Sequence, residues 1–178
     1  AHATQLFEGL LGAALEQGLI GDAAVAASLE QSKSMWHLRE SIPLAQAQDG
    51  PNIKHDIALP ISSIADFVAT TDAALLQAIP GVRIVDFGHL GDGNLHYNVQ
   101  APLGVAGAGF VREFEAAVNR LVYDAVTVRD GSISAEHGIG ALKREELVKR
   151  KSPIALALMR AVKSALDPDN RMNPGRVL

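Results

Sequence analysis

The chain has no cysteine among its 178 residues, which excludes a disulfide framework, a thiolate metal site and an iron–sulfur cluster, and makes the reducing cytoplasm its expected setting. It also lacks an excess of positive charge: the formal net charge is −4, which argues against an electrostatic nucleic-acid binder. The densest basic stretch, Lys143, Arg144, Lys149, Arg150 and Lys151, is interrupted by Glu145 and Glu146 and reads as a solvated helix face. There is no long hydrophobic run. The alanine-rich stretches are too short or too broken by charge to span a bilayer, no signal peptide is visible, and a soluble chain is expected. The chain opens Ala1-His2-Ala3 rather than with methionine, which points to a processed or excerpted polypeptide. Internal repeats and low-complexity tracts are missing. So are a Walker spacing around Gly138-Ile139-Gly140, a Rossmann fingerprint in Gly88–Gly93, a His-Glu-x-x-His motif and a Gly-x-Ser-x-Gly elbow.

What is present is a length that suits one domain with a real core, with room for an appended helical region, and an informative segment, Phe87-Gly88-His89-Leu90-Gly91-Asp92-Gly93-Asn94-Leu95-His96-Tyr97-Asn98-Val99. Asp-Gly favours a two-residue hairpin turn because both central positions need positive φ, and the flanks are rich in β-formers. Centring the turn there pairs His89 with His96 on one face, with Cβ atoms about 4.5–5.5 Å apart. That separation lets two imidazoles reach one metal ion. Phe87 and Asn98 share this face, whereas Ile84, Gly88, Leu90, Leu95, Tyr97, Val99 and Ala101 take the other, largely apolar one. The alternative is an ordinary hairpin carrying two surface histidines.

Gly131-Ser132-Ile133-Ser134-Ala135-Glu136-His137-Gly138-Ile139-Gly140 reads as a short strand ending in an acid and a histidine, then a glycine-rich turn into a helix. Glu136 would complete a two-histidine, one-carboxylate set with open coordination positions. Adjacent residues on an extended chain point to opposite sides, so Glu136 and His137 are not expected to ligate together. His137 is better suited to moving protons. The competing reading makes Glu136 a helix-start carboxylate near the amide dipole.

Hydrophobic spacing predicts helices over Thr4 to about Gln17, Asp22 to about Glu30, and Gln31 to about Gln48, the last kinked or divided at Pro43. A strand follows over Ile53–Leu59, and a helix capped by Ser62 or Ser63 runs to about Ala78. Pro80-Gly81 then turns the chain into the hairpin. A helix from Phe110 to about Val128 carries Phe114, Val118, Leu121, Val122 and Ala125 on one side. Two more, about Ala141–Lys149 and Pro153–Leu166, lead to an irregular tail. Few strands among long helices indicate an α+β domain.

Three ordered motifs, Gly88-His89-Leu90-Gly91-Asp92-Gly93-Asn94-Leu95-His96, Ser134-Ala135-Glu136-His137-Gly138-Ile139-Gly140 and Met172-Asn173-Pro174-Gly175-Arg176-Val177-Leu178, together resemble the C-terminal part of FAD-linked oxidases. The relevant branch holds D-2-hydroxyglutarate dehydrogenase, D-lactate dehydrogenase and the glycolate oxidase flavin subunit. The likeness extends from about Trp36 to the end. It implies a cap domain with a ferredoxin-like antiparallel sheet covered by helices, here incomplete and joined to an additional helical region. FAD would be held mainly by an N-terminal FAD-binding domain that this chain lacks. His89, His96 and Glu136 match the family's divalent-metal ligands, usually zinc; Asn98 and His137 match its substrate-side polar residues; Asn173 falls in the motif that approaches the flavin.

Upstream, the same resemblance gives Arg39 the place of a substrate-carboxylate arginine and Lys54 that of a substrate lysine. Where the hydroxyglutarate enzymes tend to have a threonine four residues after that arginine, this chain has Pro43, which removes a hydroxyl donor and leaves the particular 2-hydroxy acid open. From the residues alone, Arg39 reads equally as a helix-surface partner or a cation stacked on Trp36, the single tryptophan, and Lys54 as an exposed strand residue. The implied reaction is oxidation of a D-2-hydroxy acid to a 2-oxo acid with hydride transfer to FAD. His137 would take the hydroxyl proton, and Arg39 and Lys54 would hold carboxylates. The implied partners are the FAD-binding domain of the same polypeptide and a small 2-hydroxy acid, with the electron acceptor unspecified and a homodimer compatible with the pattern. Two rivals stand beside this reading: a self-sufficient metal-dependent hydrolase using His89, His96 and Glu136, and a noncatalytic interaction module scaffolded by the hairpin.

Overall fold

The computed structural model describes residues 2–178, which divide into two compact units at the Asp49/Gly50 junction. The first holds helix α1 (His2–Glu16) and helix α2 (Leu29–Asp49). The helix expected over Asp22–Glu30 does not form. The Ala23 amide donates to the Asp22 carboxylate at 2.7 Å and the Ala27 amide to the Gln31 side chain at 2.7 Å, local bonds that compete with a helical ladder. Ser28 instead starts α2, its Oγ accepting from the Gln31 amide at 3.2 Å. Pro43 sits inside α2 and does not divide it. The loss of one backbone donor is tolerated because Leu44 to Gln48 are all good helix formers.

The second unit is α+β. Strand β1 (Asn52–Ala58), helix α3 (Ile64–Ala78), strand β2 (Arg83–His89), strand β3 (Asn94–Gln100), helix α4 (Gly107–Thr127), helix α5 (Arg144–Arg150) and helix α6 (Pro153–Leu166) follow in order. The strands form an antiparallel sheet in the order β1-β3-β2. One face carries Ile53, Ile57, Leu95, Tyr97 and Val99, all buried. Against it lie α3, through Ile64, Phe67 and Leu75, and α4, through Phe110, Val118, Val122 and Val126. Those spacings of three, four and eight residues are what the helical period requires of a buried stripe. Among the described residues no helix is long and apolar enough to cross a membrane.

The hairpin differs in register from the expected one. His89 stands opposite Asn94, and His96 opposite Phe87. The tip is a four-residue connection, a 3-10 turn over Leu90–Asp92 closed by Gly93 at φ 79°. Leu90 consequently leaves the apolar face and is exposed. The cause lies partly outside the hairpin: Gly93 accepts a hydrogen bond from the Leu59 amide at 3.0 Å, and a Cβ at Gly93 would run into the Leu59 carbonyl. Gly88 is packed as tightly against the Asn94 carbonyl. Because the shift is two residues, each side chain of β2 keeps its face.

Candidate functional site

The face opposite the core carries the polar residues. Across β1, β3 and β2, the rows read Lys54, Asn98, Val85; then Asp56, His96, Phe87; then Ala58, Asn94, His89. Lys54, from one segment, and His89, His96 and Asn98, from another, therefore share one side of one sheet. His89 is one diagonal step from His96 rather than directly across from it, so the direct pairing read from an Asp92-Gly93 turn is corrected. The ring of Phe87 lies 5.0 Å from that of His96.

The stretch carrying Glu136 and His137 is not a strand. Its one β-bridge to the sheet pairs Ala58 with Ser132, after which it leaves extended geometry. The Ser132 hydroxyl donates to the Ser134 carbonyl at 2.8 Å, the Ser134 hydroxyl to the Gly138 carbonyl at 2.8 Å, and Lys143 Nζ to the Ile133 carbonyl at 2.8 Å. Curled this way, the loop brings both Glu136 and His137 to the polar face, against the expectation that neighbours would diverge. Glu136 Oε2 is 3.5 Å from His96 Nε2, and the His96 and His137 rings are 6.2 Å apart.

Asp56 had no role in the sequence reading, yet it sits at the centre. Its Oδ2 accepts the backbone amides of Glu136 and His137, both at 2.9 Å, and that of Ala135 at 3.2 Å. Its Oδ1 accepts from the Asn94 side-chain amide at 3.2 Å. Burial would by itself push the Asp56 carboxyl up, but the amides of His137 and Glu136, with nearby positive charge at His137 and Lys143, outweigh it and hold the group below the ordinary carboxylate range. Burial likewise pulls Lys143 down, against the opposing pull of Asp56. The signal available in sequence was the two-residue period that puts Asp56 on the same face as Lys54. The loop amides that give the carboxylate its purpose lie about eighty residues away.

Asp56, His96 and Glu136 each offer a ligand atom within 4.8 Å of the others. Asp56 already has both oxygens engaged, which leaves the imidazole of His96 and the half-exposed carboxylate of Glu136 as the donor pair suited to a divalent cation. His89 lies outside this group, on the same face. Asn98 is buried and Lys54 exposed. Arg39 belongs to α2 in the first unit. Asn173 adopts φ 49° in the tail, where its carbonyl accepts from the Arg176 amide at 3.1 Å.

An antiparallel sheet with helices on one face and a carboxylate–imidazole cluster on the other makes the second unit an α+β domain with a polar, open sheet face. The chain belongs to the FAD-linked oxidases, C-terminal domain family, whose model matches residues 1–177. It is similar to D-2-hydroxyglutarate dehydrogenase of Xanthomonas citri pv. viticola, 42% identical over 92% of this chain and 34% of the relative. It is also similar to the mitochondrial D-2-hydroxyglutarate dehydrogenases of Arabidopsis thaliana, 36% identical over 96% of this chain and 29% of the relative, and of Rattus norvegicus, 35% identical over 99% and 32%. The chain thus spans about a third of the length of the curated relatives it matches.

Proposed function

We propose that this chain is the substrate- and metal-binding part of a flavin-dependent dehydrogenase that oxidises a D-2-hydroxy acid to the 2-oxo acid. The observation that carries the reading is the convergence of Glu136 and His137 from one loop on His96 of the sheet, within a family whose relatives bear the name D-2-hydroxyglutarate dehydrogenase. The metal-hydrolase alternative has no comparable support.

FAD, when bound, supplies the hydride acceptor. A divalent cation, zinc by its donor set, supplies Lewis acidity toward the substrate's hydroxyl and carboxylate. His96 and Glu136 would hold that cation, with His89 one diagonal step away as the further ligand. His137 is exposed, and its Nδ1 is 3.8 Å from Asp56 Oδ2, so the carboxylate orients the ring while the other nitrogen stays available to receive the hydroxyl proton. Lys54, opposite buried Asn98, offers an ammonium and an amide on one row for a substrate carboxylate and its neighbouring oxygen. Arg39 is assigned a carboxylate-binding role and Asn173 a flavin-side one. An N-terminal domain of the same polypeptide is taken to hold most of the FAD.

The test uses the full-length protein, a panel of D-2-hydroxy acids and an artificial electron acceptor. His137→Ala should lower turnover by about 10²-fold or more with metal retained by elemental analysis, and His89→Ala/His96→Ala should lose the metal. Near-normal turnover of His137→Ala removes it from proton transfer, and failure to oxidise any D-2-hydroxy acid sinks the reading.

A further inference from the structure

We infer that Asp56 is the positioning residue of this site: its carboxylate pins the Ala135–His137 loop to the sheet and orients the His96 imidazole toward Glu136. The inference deepens the metal reading above and rests on it only for the consequence, not for the clamp. Three consecutive amides converging on one oxygen form an anion nest, and the anion that fills it here is the chain's own side chain. The Ala135 amide also lies 3.2 Å from the Asp56 carbonyl, so main chain and side chain grip the same point. The second oxygen is steadied by Asn94. Without the Asp56 carboxylate the amides of Glu136 and His137 would lose their acceptor, and only the Ala135 amide, on the Asp56 carbonyl, would still join this part of the loop to β1.

The same carboxylate faces the other ring nitrogen of His96, with Oδ1 3.9 Å from Nδ1, while Nε2 faces Glu136. With a cation seated between Nε2 and Glu136, the Asp56 charge behind the ring would favour the tautomer with its proton on Nδ1, which directs the Nε2 lone pair at that cation. Carboxylates placed behind metal-binding histidines act in this way, and their loss typically weakens metal binding 10–100-fold. Asp56 is therefore better used behind the ligands than as one of them.

The experiment compares the full-length wild-type protein with Asp56→Ala and Asp56→Asn by residue-resolved amide hydrogen exchange and by Zn2+ affinity in competition with a chelator. Asp56→Ala should speed exchange at residues 135–137 by about tenfold or more, leave β3 unchanged and weaken Zn2+ binding about 10–100-fold. Asp56→Asn keeps one acceptor oxygen and should restore part of the loop protection without restoring Zn2+ affinity. The inference is overturned if Asp56→Ala leaves the loop amides and the affinity unchanged, or if exchange rises uniformly through the sheet, as a merely structural residue would produce. Should Asp56→Ala not fold, loop amides of the wild type exchanging at unstructured-chain rates overturn it equally. A wild type that binds no Zn2+ yet protects these amides defeats the metal reading while supporting the clamp.

Discussion

At the scale of single residues, the site depends on a few side chains with unusually complete hydrogen bonding and on glycines that admit close approach. Gly93 illustrates the second. It combines φ 79° with a position where a Cβ would strike the Leu59 carbonyl, so Gly93→Ala should cost about 3 kcal/mol in chemical denaturation, with the tip of the hairpin displaced. A loss below about 0.5 kcal/mol would show that the close contact with Leu59 does not constrain the turn. Asp92-Gly93 was legible as a turn. The contact with Leu59 was not, because it joins residues separated by more than thirty positions, and it is this contact that moves the register by two.

At the scale of elements, β1 is the strand that divides labour most sharply. Its alternate residues Ile53, His55 and Ile57 face the core, and Lys54 and Asp56 face the site. His55 is buried with Nδ1 2.8 Å from the Tyr97 carbonyl, Nε2 2.9 Å from Asn119 Oδ1 and the Tyr123 ring edge-on at 5.4 Å. Burial, opposed by those two hydrogen bonds, lowers its pKa to about 4. The folded protein thus binds fewer protons than the unfolded chain between about pH 6.5 and 4. Stability from this group is complete above about 6.5 and lost as pH falls, on the order of 3 kcal/mol by pH 4. Urea midpoints measured across that window should decline, and His55→Leu should decline less steeply; an identical slope would remove His55 as the cause. Helices α3, α4 and α6 were readable from their apolar spacing, which is local. The short strand expected to end at Glu136 and His137 does not form, because serine hydroxyls and a carboxylate from β1 curl the stretch into a loop.

At the scale of the molecule, the main core cluster of the second unit runs from Ile53 to Ile139, with Leu147 and Leu156 buried beyond it, and all of these residues belong to that unit. Residues 50–178 should therefore unfold cooperatively when produced alone and retain the metal affinity proposed for His96 and Glu136, while lacking the carboxylate grip assigned to Arg39. Circular dichroism melts and the chelator competition check this; a fragment without a cooperative transition would show that the core needs the first unit. The family match extends over both units, residues 1–177.

Local chemistry determined the elements and the residue types on offer: amphipathic spacing wrote the helices, alternation wrote the two faces of the strands, and the histidines and Glu136 stood out as candidate donors. Only the tertiary structure decided how those donors meet. Register depended on a contact from Leu59, just beyond β1, to the hairpin tip, and the placing of Glu136 and His137 depended on one buried carboxylate eighty residues upstream. Neither interaction has a periodicity to betray it, since both join segments far apart in the chain.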